Sequence, residues 1–72
     1  MNNNNTSLQP TIKLGQFLKW KGLVQTGGEA KIRVQGGEVF VNGELDTRRG
    51  RKLVSGDRVT IDGQTYEVQL SE

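Results

Sequence analysis

The sequence predicts an α+β fold in which two N-terminal helices pack on a small antiparallel sheet of about four short strands. Apolar residues recur three and four positions apart up to about residue 35, and at every second position after it. The pairs Asn42-Gly43 and Asp62-Gly63 separate alternating segments, as tight hairpin turns do. Helices that precede a run of strands typically cover one face of the sheet.

Size and composition limit what this chain can be. Its 72 residues are 32% apolar and allow one lean domain. It contains neither cysteine nor histidine, which excludes thiolate metal sites and removes the commonest metal ligand and general base. No apolar run approaches the roughly 18 residues that cross a bilayer. We therefore expect a cytoplasmic protein with no metal, no cofactor, no catalytic residue, no small-molecule substrate and no membrane contact.

Residues 1–10 predict a disordered tail. Four consecutive asparagines precede Thr6 and Ser7, and Leu8 is the only aliphatic residue after the initiator. Such a segment buries too little apolar surface to order itself. We therefore place a single folded domain at residues 11–72.

The first helix is predicted to begin at Lys13 and to end before the glycine at position 22. Leu14, Phe17 and Leu18 lie on one face of it, at the i, i+3 and i+4 spacing of an amphipathic helix. This face is expected to enter the core.

The second helix is predicted to begin after Thr26 and to extend to about Gln35. The run Thr26-Gly27-Gly28-Glu29 fits the capping box, in which the first hydroxyl and the last carboxylate each accept a hydrogen bond from a backbone amide. Gly27 and Gly28 either permit close packing of the two helices, which we favour, or present backbone amides that hold a phosphate.

The faces of this helix predict packing on two sides. Ala30 and Val34 share one face, and Ile32 lies nearly opposite. We therefore expect contacts with the first helix on one side and with the sheet on the other. Lys31 and Arg33 then emerge along its edges.

The strands follow a Gly-Gly pair at positions 36 and 37, where the apolar period changes to two. Residues 38–41 and 44–46 flank the first tight turn, and residues 58–61 and 65–70 flank the second. Phe40 points to the outer face of the first strand.

Two aromatic side chains have two interpretations each. Trp20, on the flank of the first helix's apolar stripe, either closes the edge of the core or stacks on a base. Phe40 has the same alternatives on the sheet. We favour packing within the protein for both.

The basic loop, residues 47–52 (Thr-Arg-Arg-Gly-Arg-Lys), is the most informative segment for function. It holds four of the ten Lys and Arg residues and no acid. Like charges at this density repel, so the loop either is a mobile, solvated segment or binds a partner of opposite charge. Three of the four cations are arginines, whose planar donors match phosphate oxygens. The charged residues in 59–72 are all acidic, so a polyanion is expected to face the preceding part of the fold.

From about Lys13 to Ile61 the chain resembles the S4 RNA-binding domain. The motifs that carry the resemblance are, in chain order, Leu14-x-x-Phe17-Leu18-Lys19, Gly22-Leu23-Val24, Glu29-Ala30-Lys31, Gly37-x-Val39-x-Val41-Asn42-Gly43 and Val54-x-Gly56-Asp57-x-Val59. The turn at residues 26–31 and the basic loop are similar to those of the short, free-standing bacterial S4 proteins of the YaaA and YbcJ type.

The resemblance implies an S4-like fold (the αL motif) that binds structured RNA, above all ribosomal RNA, without catalysis. We expect the protein to be a monomer. The side chains that the resemblance implies as RNA contacts are Lys13, Lys19, Lys31, Arg48, Arg49, Arg51 and Lys52. We add Arg33, although the S4 pattern tends to be apolar there. We also add the backbone of Gly27 and Gly28, because Thr26-Gly27 stands where many S4 domains carry a Ser-Arg pair.

Two other functions use the same residues. A protein-binding adaptor that docks on an acidic partner needs the same cations, so composition does not separate it from an RNA-binding protein. An enzyme acting on RNA needs paired carboxylates, whereas Asp46, Asp57 and Asp62 have structural explanations at strand ends and turns. Duplex DNA is disfavoured, because no helix carries the Arg, Asn and Gln cluster of a major-groove reader.

Overall fold

The computed structural model of the protein describes residues 9–70, which form two helices and six short strands. The elements are, in chain order, β1 (Ile12–Lys13), α1 (Leu14–Trp20), α2 (Gly27–Gln35), β2 (Val39–Val41), β3 (Glu44–Leu45), β4 (Lys52–Leu53), β5 (Arg58–Ile61) and β6 (Gln64–Glu67). The predicted α+β class is confirmed. Most of the segment predicted as a disordered tail, residues 1–8, lies outside the described residues.

Four of the strands form one antiparallel sheet in the order β3-β2-β5-β6. Its two hairpin turns are those predicted from the sequence. Asn42 and Gly43 have φ angles of 52° and 85°, and Asp62 and Gly63 have φ angles of 54° and 76°. Positive φ at both central residues matches the twist of the flanking strands, which is why Asn-Gly and Asp-Gly pairs favour these turns.

A second sheet of two strands is missed by the sequence analysis. β1 pairs antiparallel with β4, so that Ile12 lies opposite Leu53 and Lys13 opposite Lys52. Lys13 has extended backbone angles, and α1 therefore begins at Leu14 instead of Lys13. A strand of two residues shows no alternation, so hydrophobic periodicity does not detect it.

The second helix begins as predicted. The Thr26 hydroxyl accepts a hydrogen bond from the Glu29 amide at 3.0 Å. The Glu29 carboxylate accepts a hydrogen bond from the Gln25 amide at 2.8 Å, whereas in a standard capping box the donor is the amide of the N-cap residue, here Thr26. α2 ends where Gly37 takes a φ of 82°, a left-handed conformation that glycine adopts at no steric cost.

Side chains of both helices and of both sheets pack into one apolar core. Its members are Leu14, Phe17, Leu18, Val24, Ala30, Val34, Val39, Val41, Leu53, Val59, Ile61 and Val68. The prediction that α2 packs on two sides is wrong, because Ile32 is 71% exposed while Ala30 and Val34 are buried. Neither helix in residues 9–70 is long and apolar enough to cross a membrane.

Candidate nucleic-acid interface

The basic loop is fastened to the start of α1 by the backbone. The amide of Leu14 donates to the carbonyl of Arg51 at 2.8 Å, and the amide of Gly15 donates to the carbonyl of Arg49 at 2.9 Å. These are first-turn amides, which have no acceptor within their own helix. The loop is therefore attached to the fold at two points, while five of its six residues remain exposed to solvent.

Gly15 allows the Arg49 side chain to lie across α1. A Cβ atom on residue 15 would stand 2.6 Å from Cγ and 3.2 Å from Cδ of Arg49, closer than packed atoms approach. Gly15 was not among the functional residues predicted from the sequence. The signal was a glycine in the first turn of a short helix, where alanine is more favourable by about 1 kcal/mol unless something else requires the space.

A groove of about 310 Å³ lies where the first turns of the two helices meet the basic loop. The residues that line it are Lys13, Gly15, Gln16, Lys19, Gly27, Ala30, Arg49 and Gly50. The structure thus brings together three of the predicted side-chain contacts, Lys13, Lys19 and Arg49, and one of the two predicted backbone contacts, Gly27. No acidic side chain is among those lining residues, so the groove presents positive charge without a built-in counterion.

The pairing of β1 with β4 places two lysines face to face. Lys13 and Lys52 are directly opposite in the antiparallel register, so both side chains leave the same face of the ribbon, with Cβ atoms about 5 Å apart. Like charges in this arrangement destabilise a strand pair. An anion bound between or beside them relieves the repulsion, so the register favours a polyanion at this edge of the groove.

Asp46 is a buried carboxylate at the start of the basic loop, and two arginines enclose it. One of its oxygens accepts from the backbone amide of Arg48 at 2.9 Å and from Arg48 Nε at 3.1 Å. The other accepts from Arg48 Nη2 at 2.9 Å and from Arg51 Nη1 at 2.8 Å. These bonds, those of the Arg48 side chain first, hold the pKa of Asp46 far below its ordinary value, although burial opposes the shift. Asp46 therefore stays ionised and tied to both arginines.

Arg33 does not join the other predicted contacts. Its guanidinium lies 2.8 Å from a Glu38 oxygen and 2.6 Å from an Asp62 oxygen, and these two acids, Asp62 first, raise the pKa of Arg33. Lys31 is two positions earlier on α2, about 200° around the helix. Lys31 is exposed one turn after Gly27 but is not among the residues that line the groove, and Arg33 is held by its two acids.

The glycines at the start of α2 are not explained by close packing. A Cβ atom on Gly27 would meet nothing within 4 Å, and one on Gly28 would meet only the Thr26 hydroxyl at 3.8 Å. The favoured alternative of tight helix contact is therefore wrong. Gly27 lines the groove, where the absence of a side chain leaves its backbone open to a ligand.

The two aromatic residues are partly exposed. Trp20 is 57% exposed, and its ring packs edge-on against the buried Phe17 with a centroid distance of 6.1 Å, so it contacts the edge of the core and keeps part of its surface open to solvent. Phe40 is 39% exposed on the outer face of the sheet, opposite Leu45. Trp20 lies one residue after Lys19 and carries the Lys21 ammonium 5.4 Å from its ring centroid.

The groove is built from binding groups and not from the groups that a metal site requires. Within residues 9–70, no group of three or more His, Cys, Asp or Glu side chains could hold a metal ion. The arrangement offers a concave surface with lysine and arginine side chains and two exposed glycines, Gly27 and Gly50, which a phosphate backbone can approach closely.

Comparison with known proteins places the chain. The S4 domain family matches residues 7–69. The chain is 56% identical over 52 residues to "Probable ribosome maturation protein RlbA" of Bacillus subtilis (strain 168), covering 72% of this chain and 73% of that protein. It is 36% identical over 59 residues to "Putative RNA-binding protein YbcJ" of Escherichia coli (strain K12), covering 82% and 84%. The resemblance seen in the sequence is confirmed, and the chain belongs to the S4 domain family.

Proposed function

We propose that this protein binds structured RNA, specifically ribosomal RNA, through the groove and the basic loop, and that it acts by binding alone. The observation that carries the proposal is the convergence of Lys13, Lys19 and Arg49 on one groove with no acid in its lining. Phosphate contacts of this kind supply most of the affinity of a nucleic-acid-binding protein.

The shape of the groove supports a nucleic acid over a protein partner. Two exposed glycines, Gly27 and Gly50, line it, so a sugar-phosphate backbone can approach the main chain there. The first turn of α2 opens at Gly27, and the partial positive charge of a helix N-terminus favours a phosphate there. Both features add to the lysine and arginine side chains of the groove.

The names of the relatives support ribosomal RNA as the target. The Bacillus subtilis protein is named for ribosome maturation and the Escherichia coli protein for RNA binding. RNA in ribosomal subunits offers helices, bulges and loops, and proteins recognise such RNA by shape, 2′-hydroxyl groups and unstacked bases. A rigid groove with cations at its edge suits recognition by shape.

The experiment is a titration of labelled ribosomal RNA fragments at several salt concentrations. We expect the logarithm of the affinity to fall linearly with the logarithm of the salt concentration, by about 0.7–0.9 for each phosphate contacted. Arg49→Gln removes a cation from the groove and should lower this slope by about 0.8. Arg58→Gln makes the same change on an exposed position of β5 outside the groove and should leave the slope unchanged.

A flat salt response, or no binding to any fragment, would contradict the proposal. So would an equal effect of Arg49→Gln and Arg58→Gln, because it would mean that net charge and not the groove sets affinity. Displacement of the RNA by polyglutamate at an equal concentration of charge would instead support docking on an acidic protein.

A further inference from the structure

Asp46 poses a problem for a surface that binds a polyanion. It lies directly before the basic loop and cancels one of the loop's four positive charges. Long-range electrostatics alone would therefore favour a neutral residue at this position. Its side chain is nevertheless 4% exposed and accepts four hydrogen bonds, all from Arg48 and Arg51. A buried, ionised acid inside a cationic loop indicates a role in setting geometry.

The backbone fixes where this carboxylate stands. The Asp46 amide donates to the carbonyl of Val39 at 3.0 Å, which continues the β2–β3 pairing by one residue. The loop then turns back, with the Arg51 amide bonded to the Arg48 carbonyl at 3.1 Å. Both arginine side chains thus reach one rigid acceptor from opposite ends of a four-residue turn.

The two arginines differ in what remains available to a ligand. Arg51 is 29% exposed, which makes it chiefly a tie between the loop and the sheet. Arg48 is 71% exposed, although Nε and Nη2 are bonded to Asp46. A guanidinium carries five N–H donors, so three of them, including both on Nη1, are not used by Asp46. Arg48 can therefore hold Asp46 with one edge and a phosphate with another.

We propose that Asp46 is a positioning residue for RNA binding. It binds one edge of the Arg48 guanidinium, the edge with Nε and Nη2, and so holds the remaining N–H donors ready to contact a phosphate beside the groove. This inference rests on the proposed function. A guanidinium that is held in place before binding has already lost its rotamer freedom. Binding therefore does not cost this side-chain conformational entropy again. The negative charge of Asp46 is thus favourable for affinity because of where it places its partners.

The test compares two substitutions that each remove one negative charge. Asp46→Asn puts an amide NH₂ where a carboxylate oxygen accepted from both arginines. Glu44→Gln makes the same change in charge two residues away, on an exposed residue of the edge strand β3. We expect Glu44→Gln to bind ribosomal RNA as tightly as the unaltered protein or slightly more tightly. Asp46→Asn should bind about tenfold more weakly, the loss expected when the Arg48 side chain must be ordered on binding.

A double-mutant cycle separates positioning from general damage to the fold. If Asp46 acts through Arg48, adding Asp46→Asn to an Arg48→Met protein should change RNA affinity by less than about twofold. A tenfold loss in that background would overturn the inference. Circular dichroism checks that each variant is folded. If Asp46→Asn does not fold, Asp46→Glu replaces it in the test. Asp46→Glu keeps the negative charge but displaces the Arg48 guanidinium, so RNA affinity equal to that of the unaltered protein would overturn the inference.

The outcomes also separate this inference from the proposed function. If the unaltered protein does not bind RNA, the proposed function fails and takes the inference with it. If the unaltered protein binds with a steep salt dependence but Asp46→Asn binds as tightly as Glu44→Gln, the inference alone fails.

Discussion

Residues 9–70 contain two arginine-carboxylate clusters of opposite composition. On one flank of α2, Arg33 stands between two exposed acids, Glu38 and Asp62. At the start of the basic loop, one buried acid stands between two arginines. The first cluster has a net charge of −1 and encloses its guanidinium, which is 19% exposed. The second has a net charge of +1 and leaves Arg48 exposed.

The difference shows how the same ion-pair chemistry serves two purposes. An arginine surrounded by acids is satisfied by the protein and links the end of α2 to the β5–β6 turn. An acid surrounded by arginines fixes their positions, and the arginine N–H groups that it does not bind remain available to a ligand. Counting cations in the sequence treats Arg33 and Arg48 alike, whereas their partners separate them into a structural tie and a candidate RNA contact.

The largest expected effect is on stability, at the buried acid. Asp46→Ala leaves Arg51, which is mostly buried, without its partner, and we expect it to lower the free energy of unfolding by about 2 kcal/mol. Arg33→Gln breaks pairs with exposed acids and should lower it by less than about 1 kcal/mol. Urea unfolding of the two variants measures the difference. Equal losses would contradict the distinction between the clusters.

The pH dependence of stability sharpens the same comparison. The pKa of Asp46 is lower in the folded protein than its ordinary value of 3.8, so the unfolded chain binds its proton first as the pH falls. The contribution of Asp46 is therefore complete above about pH 5 and decreases below about pH 4. We expect Asp46→Asn to remove part of the acid destabilisation of the unaltered protein. Unfolding curves between pH 6 and pH 2 at constant ionic strength test this, and parallel curves for the two proteins would contradict it.

The smallest of these effects is expected at Gly15. Gly15→Ala improves helix propensity by about 1 kcal/mol but forces the stem of Arg49 away from α1. We therefore expect little net change in stability and a loss of RNA affinity of about threefold, since one groove cation is displaced but not removed. Gly27→Ala is the matched control for thermal stability, because its Cβ atom would meet no neighbour. Unchanged RNA affinity of Gly15→Ala would show that the placement of Arg49 is unimportant.

The features predictable from the sequence are those with local causes. The start of α2 depends on a cap formed between Thr26 and Glu29, three residues apart. The hairpin turns depend on Asn42 and Asp62, each followed by glycine. The residues that determine each cap or turn lie within four positions of one another, so a short stretch of sequence is enough to predict it. The fold class follows from their order.

The features missed depend on contacts between distant segments. β1 forms because Lys52–Leu53 returns to Ile12–Lys13, about 40 residues later in the chain. The role of Gly15 depends on Arg49 in the same way. Periodicity shows which side chains share a face but not whether anything covers that face, which is why the exposure of Ile32 was missed. The candidate contact residues were predicted from the sequence. Only the structure shows which of them line the groove and which, such as Arg33, are bound to acids of the protein.

The most direct test of the RNA-binding groove is the mapping of backbone amide signals by NMR during titration with a ribosomal RNA fragment. We expect the largest changes at the groove glycines, Gly15, Gly27 and Gly50. The hairpin glycines, Gly43 and Gly63, serve as matched reporters at turns of the four-stranded sheet and should change little. Large changes at the hairpin glycines with none at the groove glycines would contradict the account.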